Sequence, residues 1–176
     1  MGKVLVCYFS RADENYEVGK VEVGNTEVFA KAIIEKLQAD GREVDEFKIE
    51  PVVPYPTGYD DCVAKAMEEC AMQERPDYVG DVDLSQYDTI FFGYPVWCSD
   101  LPMIVYNFLE KHTFNGQNLY PFCTHEGSGE AGTFMTLGNL AVGAMCQEGL
   151  AIQGKLARQD GGKLQANHFA DQAAIS

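Results

Sequence analysis

At 176 residues, 46% of them hydrophobic, the chain is long enough for one compact domain over 1–176 and too short for two of ordinary size. Its net charge of −14 argues against nucleic acid and anionic membrane as partners, since both carry the same sign, and leaves basic proteins acceptable. No apolar run approaches the roughly 20 residues of a membrane span and no signal-peptide pattern opens the chain, so the expected location is cytoplasmic.

Val4-Leu5-Val6-Cys7-Tyr8-Phe9 is a continuous apolar run of strand length, the pattern of a central strand buried on both faces, and it stops at Ser10-Arg11. Residues 12–23 are polar and acidic and read as a long loop, with Val21-Glu22-Val23 suggesting a small hairpin. Gly24-Asn25-Thr26 then precedes Val28, Phe29, Ala32, Ile33, Ile34 and Leu37, whose spacing predicts an amphipathic helix ending near Asp40-Gly41, with Asn25 or Thr26 as its cap. Val44, Phe47 and Ile49 fit a shorter, more polar edge strand that the prolines of 51–56 bring to an end.

Helical spacing returns at Val63, Ala66, Met67, Cys70 and Ala71, before Pro76. Thr89-Ile90-Phe91-Phe92 is a third strand; Gly93-Tyr94-Pro95 should stop it, because Pro95 lacks a ladder donor and disfavours the α region for Tyr94. The sequence's single tryptophan, Trp97, falls in the loop that follows, and Pro102 opens a helix through Lys111. Asn118 to Cys123 is a fourth strand in which Pro121 is awkward for a central position, followed by the loop 124–132. A helix weakened by Gly138 and Gly143 is expected over 133–146, and Leu150-Ala151-Ile152 is a fifth strand. Beyond Gly154 the apolar positions are too sparse, and Gly161-Gly162 too disruptive, to define a helix. Strands alternating with helices predict a parallel sheet covered on both faces.

Six cysteines without a Cys-x-x-Cys pair read as reduced, mostly buried thiols. Three histidines, at 112, 125 and 168, form no grouping with ligand spacing, so no metal site is expected.

In such a sheet the loops leaving the first, third and fourth strands meet at the carboxyl edge, where ligands bind. The first offers the Ser10 and Thr26 hydroxyls, the Asn25 amide and a helix N-terminus, a set suited to a phosphate, though Asn25 and Thr26 also read as plain helix caps. The second presents Trp97 between Pro95 and Cys98, either core or a face for a planar ligand. The third, Thr124-His125-Glu126-Gly127-Ser128-Gly129, is small and polar, with glycines that let backbone approach a ligand edge; an ordinary turn explains it as well.

Taken in order, Ser10-Arg11, Gly24-Asn25-Thr26, Gly93-Tyr94-Pro95-Val96-Trp97 and Pro121 through Gly129 resemble the flavodoxin-like family, in the bacterial branch with a Gly-Tyr-Pro-x-Trp loop, over about residues 3–154. The resemblance implies a doubly wound five-stranded parallel sheet of order 2-1-3-4-5 with non-covalent FMN at its switch point, an arrangement that is a standard example of this rule. It further implies that Ser10, Gly24, Asn25 and Thr26 hold the phosphate, with Arg11 adding charge. Tyr94, Pro95, Val96, Trp97 and Cys98 would line the isoalloxazine, Trp97 supplying the stacking face, and Thr124, His125, Glu126, Gly127, Ser128 and Gly129 would reach its pyrimidine edge. Three departures stand out: the excursion 12–23 that splits the phosphate loop, Cys98 where relatives often have a second aromatic, and a closing helix not recognisable after Gly154, which would leave a sheet face undercovered or completed by a partner subunit.

No residue has the setting of a required acid, base or nucleophile, and Asp100, Glu126 and Glu130 are the acids nearest the loops by sequence. The expected function is therefore electron transfer through FMN with a redox protein or small acceptor. An NAD(P)H-dependent reductase of quinones or similar acceptors, and a scaffold with a vestigial site, remain open alternatives.

Overall fold

The computed structural model describes residues 2–174. The chain runs β1 (Val4–Tyr8), β2 (Asp13–Asn15), β3 (Gly19–Val21), α1 (Asn25–Ala39), β4 (Val44–Lys48), β5 (Glu50–Pro51), α2 (Tyr59–Met72), β6 (Tyr78–Val79), β7 (Thr89–Pro95), α3 (Met103–Lys111), β8 (Asn118–His125), α4 (Thr133–Leu140), β9 (Met145–Cys146), β10 (Leu150–Gln153), α5 (Gly154–Ala157) and α6 (Asp160–Asp171). The main sheet orders β10-β8-β7-β1-β4, all neighbours parallel, with β9 also on β8. The short polar strand β4 takes the edge, and the order is the expected 2-1-3-4-5 once β9 and β10 are counted as a split fifth strand.

Alternation along the central strands feeds two cores. Val4, Val6 and Tyr8 of β1, Phe91 of β7 and Phe122 of β8 pack with α1 and α6; Leu5 and Cys7 of β1, with Phe92, Tyr94 and Cys123, face α2, α3 and α4. Burying each large apolar side chain in these layers contributes about 1.5–3 kcal/mol.

Three expectations need correction. The helix expected over 133–146 ends at Leu140, and Met145–Cys146 joins the sheet instead, with Gly143 at φ +95° in the connection. Pro121 is tolerated in a central strand because of what it faces. Leu119 O accepts from Gln147 N at 2.9 Å, so odd-numbered residues of β8 turn their amides outward; at Pro121 that side holds the 147–149 connection between β9 and β10, not a strand.

The third correction is the closing helix, which is present as α5 and α6. Ala166, Phe169 and Ala170 are fully buried against α1 and the sheet, and the Phe169 ring meets Phe91 edge-on at 5.4 Å. Small residues let α6 approach α1 closely, and that is why its apolar face is hard to see in sequence. Gly162 does not break the helix; it packs directly on the backbone of Leu156 and Ala157, where a Cβ would collide. Ile175 and Ser176 lie outside the described residues. Among the described residues no helix is long and apolar enough to cross a membrane.

Candidate functional site

The first loop leaves β1 at Ser10, makes the β2–β3 hairpin and returns at Gly24. That return is close: a Cβ on Gly24 would strike Arg11 O and Ser10 Oγ. Ser10 Oγ accepts from Glu27 N at 3.1 Å, so the first turn of α1 is capped from the end of β1, and neither Asn25 nor Thr26 caps it. Their side chains are thereby released for other work. Both are buried, and Thr26 Oγ1 shares a hydrogen bond of 2.7 Å with Thr124 Oγ1, joining the first loop to the third. Arg11 Nη2 donates to Pro56 O at 2.6 Å and Thr57 O at 2.9 Å, and Nη1 donates to Glu14 O. The guanidinium thus pins the hairpin to the segment before α2, while its Nε is buried without a partner among the described residues.

The second loop begins later than the sequence suggests, because β7 runs through Pro95. Tyr94 is consequently an in-strand residue, fully buried, and its hydroxyl shares a 2.7 Å hydrogen bond with Thr133 Oγ1 at the start of α4. The structure does not bring it to the cavity that the three loops enclose. Trp97 and Asp100 exchange backbone hydrogen bonds at 3.0 and 2.9 Å, closing a tight turn in which Cys98 and Ser99 have φ of +53° and +57°. Two non-glycine residues in that region cost about 1–2 kcal/mol each. The Trp97 ring is held edge-on by Phe9 at 5.2 Å and Tyr55 at 4.9 Å, and it is only half-buried.

In the third loop Thr124 is buried, and its carbonyl accepts from Val96 N at 2.9 Å, so the second and third loops are also tied. His125 Nδ1 accepts from Gly127 N at 3.0 Å, and burial lowers the imidazole's pKa, which keeps it neutral at pH 7. Asp100 and Glu130 are occupied locally, by Leu101 N and the Tyr106 hydroxyl and by Phe134 N respectively. Glu126 is different: burial, and then the charge of Glu17, push its carboxyl up to about 7.

These loops enclose a cavity of about 620 Å³. Of the residues expected from sequence, Ser10, Arg11, Asn25, Thr26, Pro95, Val96, Trp97, Cys98, Thr124, His125, Glu126 and Ser128 line it; Gly24, Tyr94, Gly127 and Gly129 do not. Sequence reasoning named no residue of two walls. One is α2, through Tyr59, Cys62, Val63, Ala66 and Met67; the other is the hairpin, through Asn15 and Tyr16. The signal for α2 was an apolar face that its core does not use up, since Val63 and Met67 remain exposed. All six cysteines are free, with Cys7, Cys62 and Cys123 buried and Cys98 and Cys146 exposed. Among the described residues no group of His, Cys, Asp and Glu is placed to hold a metal ion.

An aromatic ring with an anionic tail suits this lining. Hydroxyls and an amide gather at the N-terminus of a 15-residue helix, which favours an anion, and a half-buried indole and apolar helix face stand nearby. Two residues of the lining, Arg11 and Glu126, each carry a buried polar atom, Nε and Oε2, that has no partner among the described residues, as expected where a ligand supplies one.

The sequence matches the model of the flavodoxin family over residues 3–167. The chain belongs to the flavodoxin family. The match runs through most of α6, beyond the 3–154 expected from the loop motifs. Among solved structures, a presumed flavoprotein of Bacteroides eggerthii is similar with 24% identity over 100% of both chains and a TM-score of 0.75. A flavoprotein of Lactobacillus acidophilus in complex with FMN shows 16% identity over 90% of this chain and 97% of its own, TM-score 0.65. Flavodoxin 2 of Bacillus cereus, in its oxidised form, shows 23% identity over 99% of each, TM-score 0.61. At these identities the likeness is one of fold. No curated protein sequence matches significantly.

Proposed function

We propose that this flavodoxin-family chain holds FMN non-covalently in the cavity and passes electrons between redox partners in the cytoplasm. The observation that carries the reading is the Thr26–Thr124 hydroxyl pair at the α1 N-terminus, set in the same cavity as the half-buried face of Trp97. Ser10, Asn25 and Thr26 would hold the phosphate. Trp97, between Val96 and Cys98, would lie along the ring, with Thr124, His125 and Ser128 supplying polar contacts at its edge and Glu126, bonded to Asn25, standing nearer the phosphate end. A bound flavin supplies the electron chemistry; the chain orients it and decides what approaches. Gly24, Gly127 and Gly129 serve through backbone shape, and Tyr94 as support for the strand end.

Titration of the purified protein with FMN tests this. Quenched flavin fluorescence and flavin retained after desalting are expected, whereas free flavin in both assays would sink the proposal and leave the scaffold reading. Trp97→Ala should weaken binding several-fold to about tenfold, in line with an aromatic contact of about 0.5–1.5 kcal/mol.

A second reading, a reductase of quinone-like acceptors, is favoured by one feature: the exposed apolar wall of Val63 and Met67 at the cavity offers a small planar molecule a place beside the ring. Steady-state oxidation of NAD(P)H by quinone, with no partner protein present, distinguishes the two. Turnover would overturn the pure-carrier reading.

A further inference from the structure

Glu126 is fixed beside the anion-binding residues by segments far apart in the chain. Its Oε1 accepts from Asn25 Nδ2 at 3.4 Å, and Asn25 Oδ1 accepts in turn from Arg158 Nη1 at 3.2 Å. The start of α5 lies directly on this pair, since a Cβ on Gly154 would collide with both Glu126 Oε1 and Asn25 Nδ2. Glu126 Oε2, by contrast, is buried and has no partner among the described residues, on a residue that lines the cavity. The charged and titratable groups around it come from four elements. The hairpin turn brings Glu17, which raises its proton affinity; α5 brings Lys155, which lowers it but is itself paired with Glu17 at 3.0 Å. Arg158, just beyond α5, is spent on Val23 O and Asn25 Oδ1, and α2 brings Tyr59, whose hydroxyl pKa is raised by burial first and only in part by the Glu126 charge. Neighbouring His125 is neutral, and Arg11 is committed to backbone carbonyls.

An ionised Glu126 would set a carboxylate against the phosphate that Ser10, Asn25 and Thr26 suit, a like-charge approach that the half-buried position of Glu126 makes costly. A neutral one instead turns the orphan Oε2 into a donor. We propose that Glu126 enters the flavin complex as a carboxylic acid, taking one proton from solvent as FMN binds and donating it in a hydrogen bond to a phosphate oxygen, so that preference for phosphorylated flavin fades as pH rises. The inference rests on the flavin reading of the cavity. Burial already brings the free protein's carboxyl to about 7, so little is needed to keep it neutral near physiological pH.

The test measures dissociation constants of FMN and of riboflavin by fluorescence quenching between pH 6 and 9, in buffer free of phosphate, for the wild type, Glu126→Gln and Glu17→Gln. For the wild type, the FMN-to-riboflavin preference should fall, approaching about tenfold per pH unit above 7 if only the protonated form is competent. Glu126→Gln, whose amide donates at any pH, should hold the preference flat apart from the phosphate's own ionisation near pH 6, which both proteins share. Glu17→Gln should move the fall to lower pH, because the charge that raises the carboxyl's proton affinity is gone. A wild-type preference with the same pH profile as Glu126→Gln overturns the inference while leaving flavin binding intact. Failure of every variant to bind either flavin removes the flavin reading and this inference together.

Discussion

Thr26 and Thr124 stand 98 positions apart, yet their hydroxyls are 2.7 Å from one another and almost wholly buried. The type of each loop residue was legible, because hydroxyls, an amide and glycines at the ends of strands narrow the chemistry to an anion and a polar edge. Side-chain direction was not legible. In Gly93-Tyr94-Pro95-Val96-Trp97 the two aromatics read alike, but β7 continues through Pro95 and sends Tyr94 into the core while Trp97 lines the cavity. Tyr94→Phe should therefore cost about 1–2 kcal/mol of stability in urea unfolding, for a lost buried hydrogen bond, and leave FMN affinity unchanged. Glu126 gives a second test at this scale. Its folded pKa of about 7 lies above the ordinary carboxylate value, so across pH 4.5 to 7 the folded chain keeps a proton that the unfolded chain releases, and stability falls as pH rises through that window. In thermal melts of the flavin-free protein, Glu126→Gln should match the wild type at pH 4.5 and exceed it at pH 8. Equal melting temperatures at pH 8 would show that the group titrates normally.

Elements differ in how openly their sequences declare them. β1 and β7 carry continuous apolar runs because both faces are buried, and α1 carries a full helical stripe. In α6 the stripe is made largely of alanine, and glycines stand in its first turn, so periodicity of large residues could not reveal a helix whose purpose is close approach. Phe169→Ala should cost about 3–5 kcal/mol, the range for a buried phenylalanine, and be measured as a lower urea midpoint with an unchanged slope. The hairpin, suggested in sequence only by Val21-Glu22-Val23, was faint for the opposite reason: β2 and β3, at 13–15 and 19–21, bury almost nothing, and polar contacts hold them. Glu14 Oε2 accepts from Tyr59 N at 3.1 Å, Lys155 pairs with Glu17, and Arg11 reaches the carbonyls of 56 and 57. Removing the guanidinium with Arg11→Ala should loosen the hairpin alone. Amide exchange should rise across 13–21 while the core strands keep their protection; uniform loss of protection would mean that Arg11 supports the whole fold.

Across the whole molecule, the charge of −14 is spread over a surface where most lysines are already paired with acids, as in Lys3 with Asp45 and Lys48 with Glu27, and Arg75 is paired with Glu110. What remains is strongly acidic, and near the cavity it sits next to apolar surface: Asp60 and Asp61 are exposed in the first turn of α2, within about two turns of the exposed Val63 and Met67. An acidic rim beside an apolar patch fits a partner with basic groups around its own redox centre better than it fits a small neutral acceptor. The two proposed functions then separate by salt. Electron transfer from the FMN-loaded, reduced protein to a basic haem protein should slow markedly between 10 and 300 mM sodium chloride, since the screening length contracts from about 30 Å to well under 10 Å. Reduction of a neutral quinone should hardly change over the same range. Asp60→Asn with Asp61→Asn should flatten the salt dependence for the haem protein and leave the quinone rate where it was. If instead the quinone reaction is fast and the haem protein reaction slow and indifferent to salt, the acidic rim has no docking role and the α2 wall is better read as the edge of a substrate site.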